Sequence, residues 1–317
     1  MHRGRFLARS VAASACLMTA LTIGVTSRAM ADRPSLAEHT FISTELVPDA
    51  FVRTYVRNSI GYTMTPEFDY PPVVIRGDTL ATLDGSLAYA LLGMEYQNAI
   101  RDWIAVRASV GLRARLGTQA SSIVNEGVNM TSGLSFGWLV RLRETSRTSA
   151  CLSLDVSRQT LTLIDVRGFV EDVIDGNPNP RLIDNVPVVR SNAGLRFAWA
   201  ASRPLGVTAL LEGSYGESPQ RGEDNSWEYG LGASVDFDAA PAWDVPIGLA
   251  LAYRETSLPL ITEADHGKTR QTLLRIAYTG KPDFLIALDL MGVLDRDNSQ
   301  TDAVWSGGAA FSLRYYF

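Results

Sequence analysis

The sequence predicts an all-β fold: a transmembrane, antiparallel, up-and-down β-barrel of about twelve strands, with ten and fourteen as the neighbouring counts. Three observations lead there. Apolar residues recur with period two almost everywhere after residue 80, and the apolar face of each such segment carries no charged residue. The segments read about ten residues or longer, the length a tilted strand needs to cross a bilayer, whereas ordinary strands are nearer five or six. Aromatic residues on the apolar face gather at the strand ends, as two girdles around a lipid-facing band would.

The N-terminus sets the compartment. Arg3, Arg5 and Arg9 form a positive stretch, Val11 to Val25 is apolar, and Ala29-Met30-Ala31 gives a small-x-small cleavage pattern. Residues 1–31 are therefore expected to be an export signal cut near Ala31. Their removal takes away four Arg and no acid, leaving 25 basic against 34 acidic residues, a net of −9. No basic nucleic-acid patch is suggested. Beyond residue 31 no apolar run is long enough for a membrane-spanning helix. Cys151 is alone once Cys16 leaves with the signal, and no Cys/His spacing resembles a zinc site.

The alternation is clearest from Trp103 to Leu116. Ile104, Val106, Ala108, Val110 and Leu112 take one face, and Arg107, Ser109, Arg113 and Arg115 the other. The pattern returns over Leu134–Leu142, Ala150–Val156, Ala193–Trp199, Val207–Tyr215, Trp227–Phe237, Val245–Tyr253, Thr272–Tyr278, Phe284–Leu290 and Trp305–Phe317. A weaker segment spans Leu83–Leu91. Connections alternate too. Short ones lie near Gln97–Ile100, Glu144–Thr148, Ser202–Leu205, Asp238–Pro241 and Gly280–Asp283, with longer ones between. Short turns belong on the periplasmic side of such barrels and long loops outside.

Eleven strands ending at Phe317 leave the first one starting outside the cell, so one more ascending strand is needed before Asp78. Ala50 to Met64 is the best candidate, although its alternation is poor. The alternative for Asp32 to Tyr62 is a plug folded into the lumen. The expected organisation is thus residues 1–31 as signal, 32–80 as an N-terminal segment (first strand plus external loop, or plug) and 81–317 as barrel.

The closing strand, Phe311-Ser312-Leu313-Arg314-Tyr315-Tyr316-Phe317, resembles the C-terminal signature of bacterial outer-membrane β-barrels of the porin-like class. No specific family within that class is indicated. The resemblance implies an outer-membrane location and recognition of Leu313, Tyr315 and Phe317 by the barrel insertion machinery. Export through the Sec translocon, and outer-membrane lipids and lipopolysaccharide as surroundings, go with it.

The lumen-facing positions carry Arg107, Arg113, Arg115, Arg141, Arg143, Arg196, Arg254, Arg275 and Arg314, against the acids Asp155, Glu212, Glu228, Asp236 and Asp289. Lumen arginines select anions in some pores. Paired with acids they brace the wall instead. Both readings are carried forward, with bracing the commoner role. Gly133-Leu134-Ser135-Phe136-Gly137 matches the nucleophile-elbow pattern, but that motif needs a strand-to-helix turn and here lies inside an alternating strand. The Asp295–Asp302 run lacks the turn Gly and the closing Glu of a calcium loop. A short helix is expected over Val166–Ile174 in the longest loop.

No catalytic residue, metal or cofactor is assigned. The expected function is a narrow channel for small, in particular anionic, solutes. The alternatives are a non-conducting structural or surface-binding barrel, a lipid-modifying enzyme, and a transporter of hydrophobic substrates, the last favoured if residues 32–62 form a plug.

Overall fold

The computed structural model describes residues 32–69, 73–75, 78–81, 84–116, 127–164, 169, 172–177, 183–218, 225–259, 266–296 and 304–317. A closed barrel is built from β3 (Tyr55–Asp69), β6 (Asp84–Arg101), β7 (Ile104–Leu116), β8 (Gly127–Glu144), β9 (Thr148–Ile164) and β10 (Ile183–Ala200). It continues through β11 (Leu205–Gly216), β12 (Ser226–Asp238), β13 (Ile247–Pro259), β14 (His266–Tyr278), β15 (Phe284–Arg296) and β16 (Val304–Tyr316). All twelve are antiparallel to their sequence neighbours. β16 closes on β3 from Gly307↔Met64 to Tyr316↔Tyr55. Closure leaves no free strand edge, which a hydrocarbon environment demands because nothing there can satisfy an unpaired N–H or C=O.

The belt of side chains outside is apolar and exposed. Leu195, Leu211 and Leu231 stand in register across β10, β11 and β12. Rings collect at both ends: Tyr215 lies 4.9 Å from Trp227 at the long-loop end, and Tyr315 lies 5.9 Å from Phe317 at the other. A continuous exposed apolar surface rimmed by aromatic residues is a lipid-facing surface. The chain is a transmembrane barrel of the outer-membrane type.

Two small hairpins lie outside the wall sequence. β4 (Val73–Ile75) pairs with β5 (Asp78–Ala81) in the connection after β3. β1 (Ser35–Leu36) pairs with β2 (His39–Thr40) in the N-terminal segment. Their turn, Ala37-Glu38, has positive φ at both residues, 46° and 66°, the backbone of a type I′ hairpin turn. A short helix, α1 (Ala240–Trp243), fills the connection expected near Asp238–Pro241. Within the helix expected over Val166–Ile174, the described residues 169 and 172–174 are helical.

The structure adjusts three expectations. The first wall strand starts at Tyr55, not Ala50, and the residues before it run inside the barrel. The turn placed near Gln97–Ile100 is instead Asp102–Trp103, because β6 runs on to Arg101 through an irregularity after Ala99. Arg143 leaves the lumen face. A bulge between Arg141 and Arg143 makes Arg141 oppose Cys151 and Arg143 oppose Ala150. One extra residue reverses which face follows, so Arg143 is exposed on the outward side.

Candidate lumen site and its plug

Residues 32–54 enter the barrel at the short-turn end, which is the periplasmic end in barrels of this kind. The Arg33 amide donates to the Pro282 carbonyl at 2.6 Å, and its guanidinium to the Thr279 carbonyl at 2.6 Å. The chain rises through β1 and β2, turns at Pro48 and descends to Tyr55. Thr54 accepts a hydrogen bond from the Ala99 amide at 3.1 Å on the way out.

Apolar contacts seat this plug in three places. Phe41, Phe51 and Val52 lie against Ala105, Leu139, Cys151 and Ala198. Ile42 lies against Ala250, Ala277, Leu285 and Ala287. Val47 lies against Leu210, Ala252 and Leu273. The wall is small where the plug is large. A Cβ at Gly206 would collide with His39 and Phe41, and one at Gly248 would collide with Ile42. Glycine at these positions is required by close approach rather than by backbone angle.

Most of the plug is irregular, so its buried carbonyls need partners from outside their own backbone. The wall supplies them. Arg275 donates to the Ser43 carbonyl. Ser149 donates to the Ala50 carbonyl at 2.6 Å, and Gln97 to those of Phe51 and Arg53 at 2.9 Å each. Side chains of the plug are held too. His39 Nε2 lies 2.8 Å from Asp236 Oδ1 while its Nδ1 faces the Arg203 carbonyl at 3.0 Å. Asp49 accepts from Arg314 at 2.8 Å and from Ser43.

Above Pro48 the lumen opens into a cavity of about 640 Å³ whose lining is polar, including Arg107, Arg190, Arg196 and Arg254 together with Asp155, Glu212 and Glu228. Ion pairs cross its wall. Arg107 lies 3.3 Å from Glu95 and 3.6 Å from Asp155. Arg190 lies 3.2 Å from Glu228, and Arg254 pairs with Glu212. The Arg107–Asp155 contact reaches across β8 at Gly137, where a Cβ would strike the Asp155 carboxylate.

The lumen candidates therefore divide by depth. Arg107, Asp155, Arg196, Glu212, Glu228 and Arg254 border the cavity. Asp236, Arg275, Asp289 and Arg314 lie lower, in contact with the plug or paired beside it. Arg275 holds Asp289 through two bonds of 2.6 Å. Arg141 sits at the periplasmic rim with Asp102 at 3.1 Å and Glu144 at 2.9 Å. Arg113 lies over the Tyr89 ring, 4.1 Å from its centre, and Arg115 follows two residues later on the same inner face. Leu313, Tyr315 and Phe317 point outward on the closing strand.

Arg57, Glu95, Gln97 and Arg190 belong to the interior network and were not foreseen. Glu95 accepts from Tyr55 at 2.7 Å and pairs with Arg57 at 2.8 Å. Strict alternation in Glu95-Tyr96-Gln97 is the signal that marks two of them. Ser135 lies mid-strand with its Oγ 2.7 Å from Ser109 Oγ, in extended backbone and not at a strand-to-helix turn.

No family model and no curated protein matches the sequence. Solved structures do. An outer-membrane channel from Pseudomonas putida F1 superposes with a TM-score of 0.50 at 11% identity, covering 87% of this chain and all of that one. The chain shares that channel's fold. The NanC porin gives 0.49 at 8% identity over 83% of this chain and 100% of its own. The P. putida toluene transporter TodX gives 0.41 at 10% identity over 83% and 90%. At such identities the likeness is one of fold.

Proposed function

We propose that this protein is an outer-membrane channel for small polar solutes, held shut at its periplasmic end by residues 32–54. One observation carries the reading: a charged, hydroxyl-rich cavity ends at Pro48, the apex of a segment that is not part of the wall. The segment's tethers are hydrogen bonds, ion pairs and apolar contacts, all reversible. A barrel of twelve strands is wider than the eight-stranded kind that side chains fill, and narrower than the sixteen-stranded kind that stays open. A plug of this size is what its lumen has room for.

A plug was also the condition under which hydrophobic transport was favoured. The charged groups of the lining support the polar reading instead. An apolar solute in this cavity would lie against three carboxylates and four guanidinium groups and would take water away from these charges, which costs free energy.

Export by a signal cut after Ala31 belongs to the same reading. It is supported by the Arg33 amide, which is bonded at the barrel base two residues beyond the cut. So does insertion by the machinery that reads Leu313, Tyr315 and Phe317, with lipid and lipopolysaccharide around the belt. Liposome swelling tests the solute class. Vesicles carrying the chain without residues 32–54 are expected to swell in sorbitol faster than vesicles carrying the whole mature chain. Equal, lipid-baseline rates for both would favour the non-conducting barrel.

A further inference from the structure

Around the cavity floor the arginines are not equivalent. Of the four that line it, Arg107, Arg190 and Arg254 each have a carboxylate within ion-pair distance. Arg196 is buried, with 6% of its surface exposed. Among the described residues its one hydrogen bond is to a carbonyl, Asp49 O at 3.5 Å, and its Nε has no acceptor. The Nε groups of Arg107 and Arg254 lack one as well. Four guanidinium groups and three carboxylates leave the described lining with one positive charge in excess.

The same floor holds the plug apex. Pro48 lies between Leu46 and Asp49. The Leu46 carbonyl accepts from Arg254 at 3.5 Å, as the Asp49 carbonyl does from Arg196. These contacts are longer than those at the plug's foot, where Arg33, Ser149 and Gln97 bond at 2.6 to 2.9 Å. The apex is held besides by the Asp49 carboxylate on Arg314 at 2.8 Å and by the buried Val47.

We propose that Arg196 is the core of a binding subsite for a small monocarboxylate beside the plug apex. A planar guanidinium matches a carboxylate through two parallel bonds. A carboxylate bound through Nε–H and Nη2 would give the unused Nε–H an acceptor and leave Nη1 on the Asp49 carbonyl, as Arg275 holds Asp289 and the Ser43 carbonyl together. The single excess charge suits a monoanion. A multiply charged anion would face repulsion from Asp155, Glu212 and Glu228. The hydroxyl and amide groups of Ser135, Asn192 and Gln271 in the same lining favour a hydroxylated solute.

This rests on the channel reading but fails separately from it. Swelling with sorbitol tests the channel, and carboxylate binding tests the subsite. The probe is gluconate, with sorbitol as its neutral counterpart, titrated calorimetrically into the whole mature chain in detergent. Gluconate is expected to bind and sorbitol to bind far more weakly. Arg196→Gln is expected to weaken gluconate about tenfold or more, the usual effect of losing a charge-assisted hydrogen bond. Arg196→Lys, which keeps the charge and loses the fork, is expected to fall between. Equal gluconate affinity in the parent chain, Arg196→Gln and Arg196→Lys would overturn the subsite.

Discussion

At the scale of single residues, the proposed closed state depends on small wall positions facing large plug residues. Gly206 is the clearest case, because every near neighbour of an added Cβ belongs to His39 or Phe41. Overpacking of this kind costs about 1–3 kcal/mol. Gly206→Val is therefore expected to raise the fraction of time spent open by about an order of magnitude in planar-bilayer recordings. Gly111→Val makes a fair control, since nothing lies within 4 Å of a Cβ there. A Gly206→Val channel as quiet as the Gly111→Val control would refute the fit.

The residues also explain what the sequence concealed. Lumen arginines were legible because strict alternation places them, and most stand on the inner face. Arg143 was misplaced because a bulge has no mark in the pattern. Arg190 and Glu95 were missed because β10 and β6 run well past the segments read as strand, Ala193–Trp199 and Leu83–Leu91. The strongest overlooked signal was compositional. Several inner-face positions toward the periplasmic end are Ala or Gly, at Ala105, Ala198, Gly206, Gly248, Ala250 and Ala277. A water-filled lumen gives no reason for that run, and a seated plug does.

At the scale of elements, the β1–β2 hairpin is under backbone strain. Ala37 and Glu38 both occupy the left-handed region, which costs an ordinary residue roughly 1–2 kcal/mol. Replacing them with Asn-Gly, the pair that type I′ turns prefer, removes the exposed Glu38–Arg203 ion pair at 2.5 Å. An exposed pair contributes little. The double variant is expected to open several-fold less often, and a rise in opening frequency would contradict the assignment of the hairpin to the plug. The wall strands make a different prediction. Leu231 faces outward near the middle of β12. Leu231→Arg is expected to destabilise the barrel by roughly 2–4 kcal/mol in vesicle-based urea unfolding, the effect of a charge at the bilayer midplane. Unchanged stability would mean that this face does not meet lipid.

At the scale of the whole molecule, parity carried more than any motif. A chain ending on the periplasmic side, with long and short connections alternating, required an even number of strands and exposed one missing from the clean pattern. Wall strand and plug were posed as alternatives for the N-terminal segment, and the chain uses both in succession. The break falls at Tyr55, whose ring is buried beside Tyr316 with centroids 5.7 Å apart. The poor alternation of Ala50 to Met64 marked that transition. Its first residues answer to the plug's irregular backbone, and only those from Tyr55 onward answer to the period of a strand.

The central claim is that residues 32–54 are the gate and the wall alone is a pore. Planar-bilayer current through the mature chain, compared with the same chain lacking residues 32–54, tests it most directly. The whole chain is expected to rest closed with brief openings, and the shortened one to conduct steadily. A shortened chain that inserts as a folded barrel and passes no current above the lipid baseline would contradict the claim.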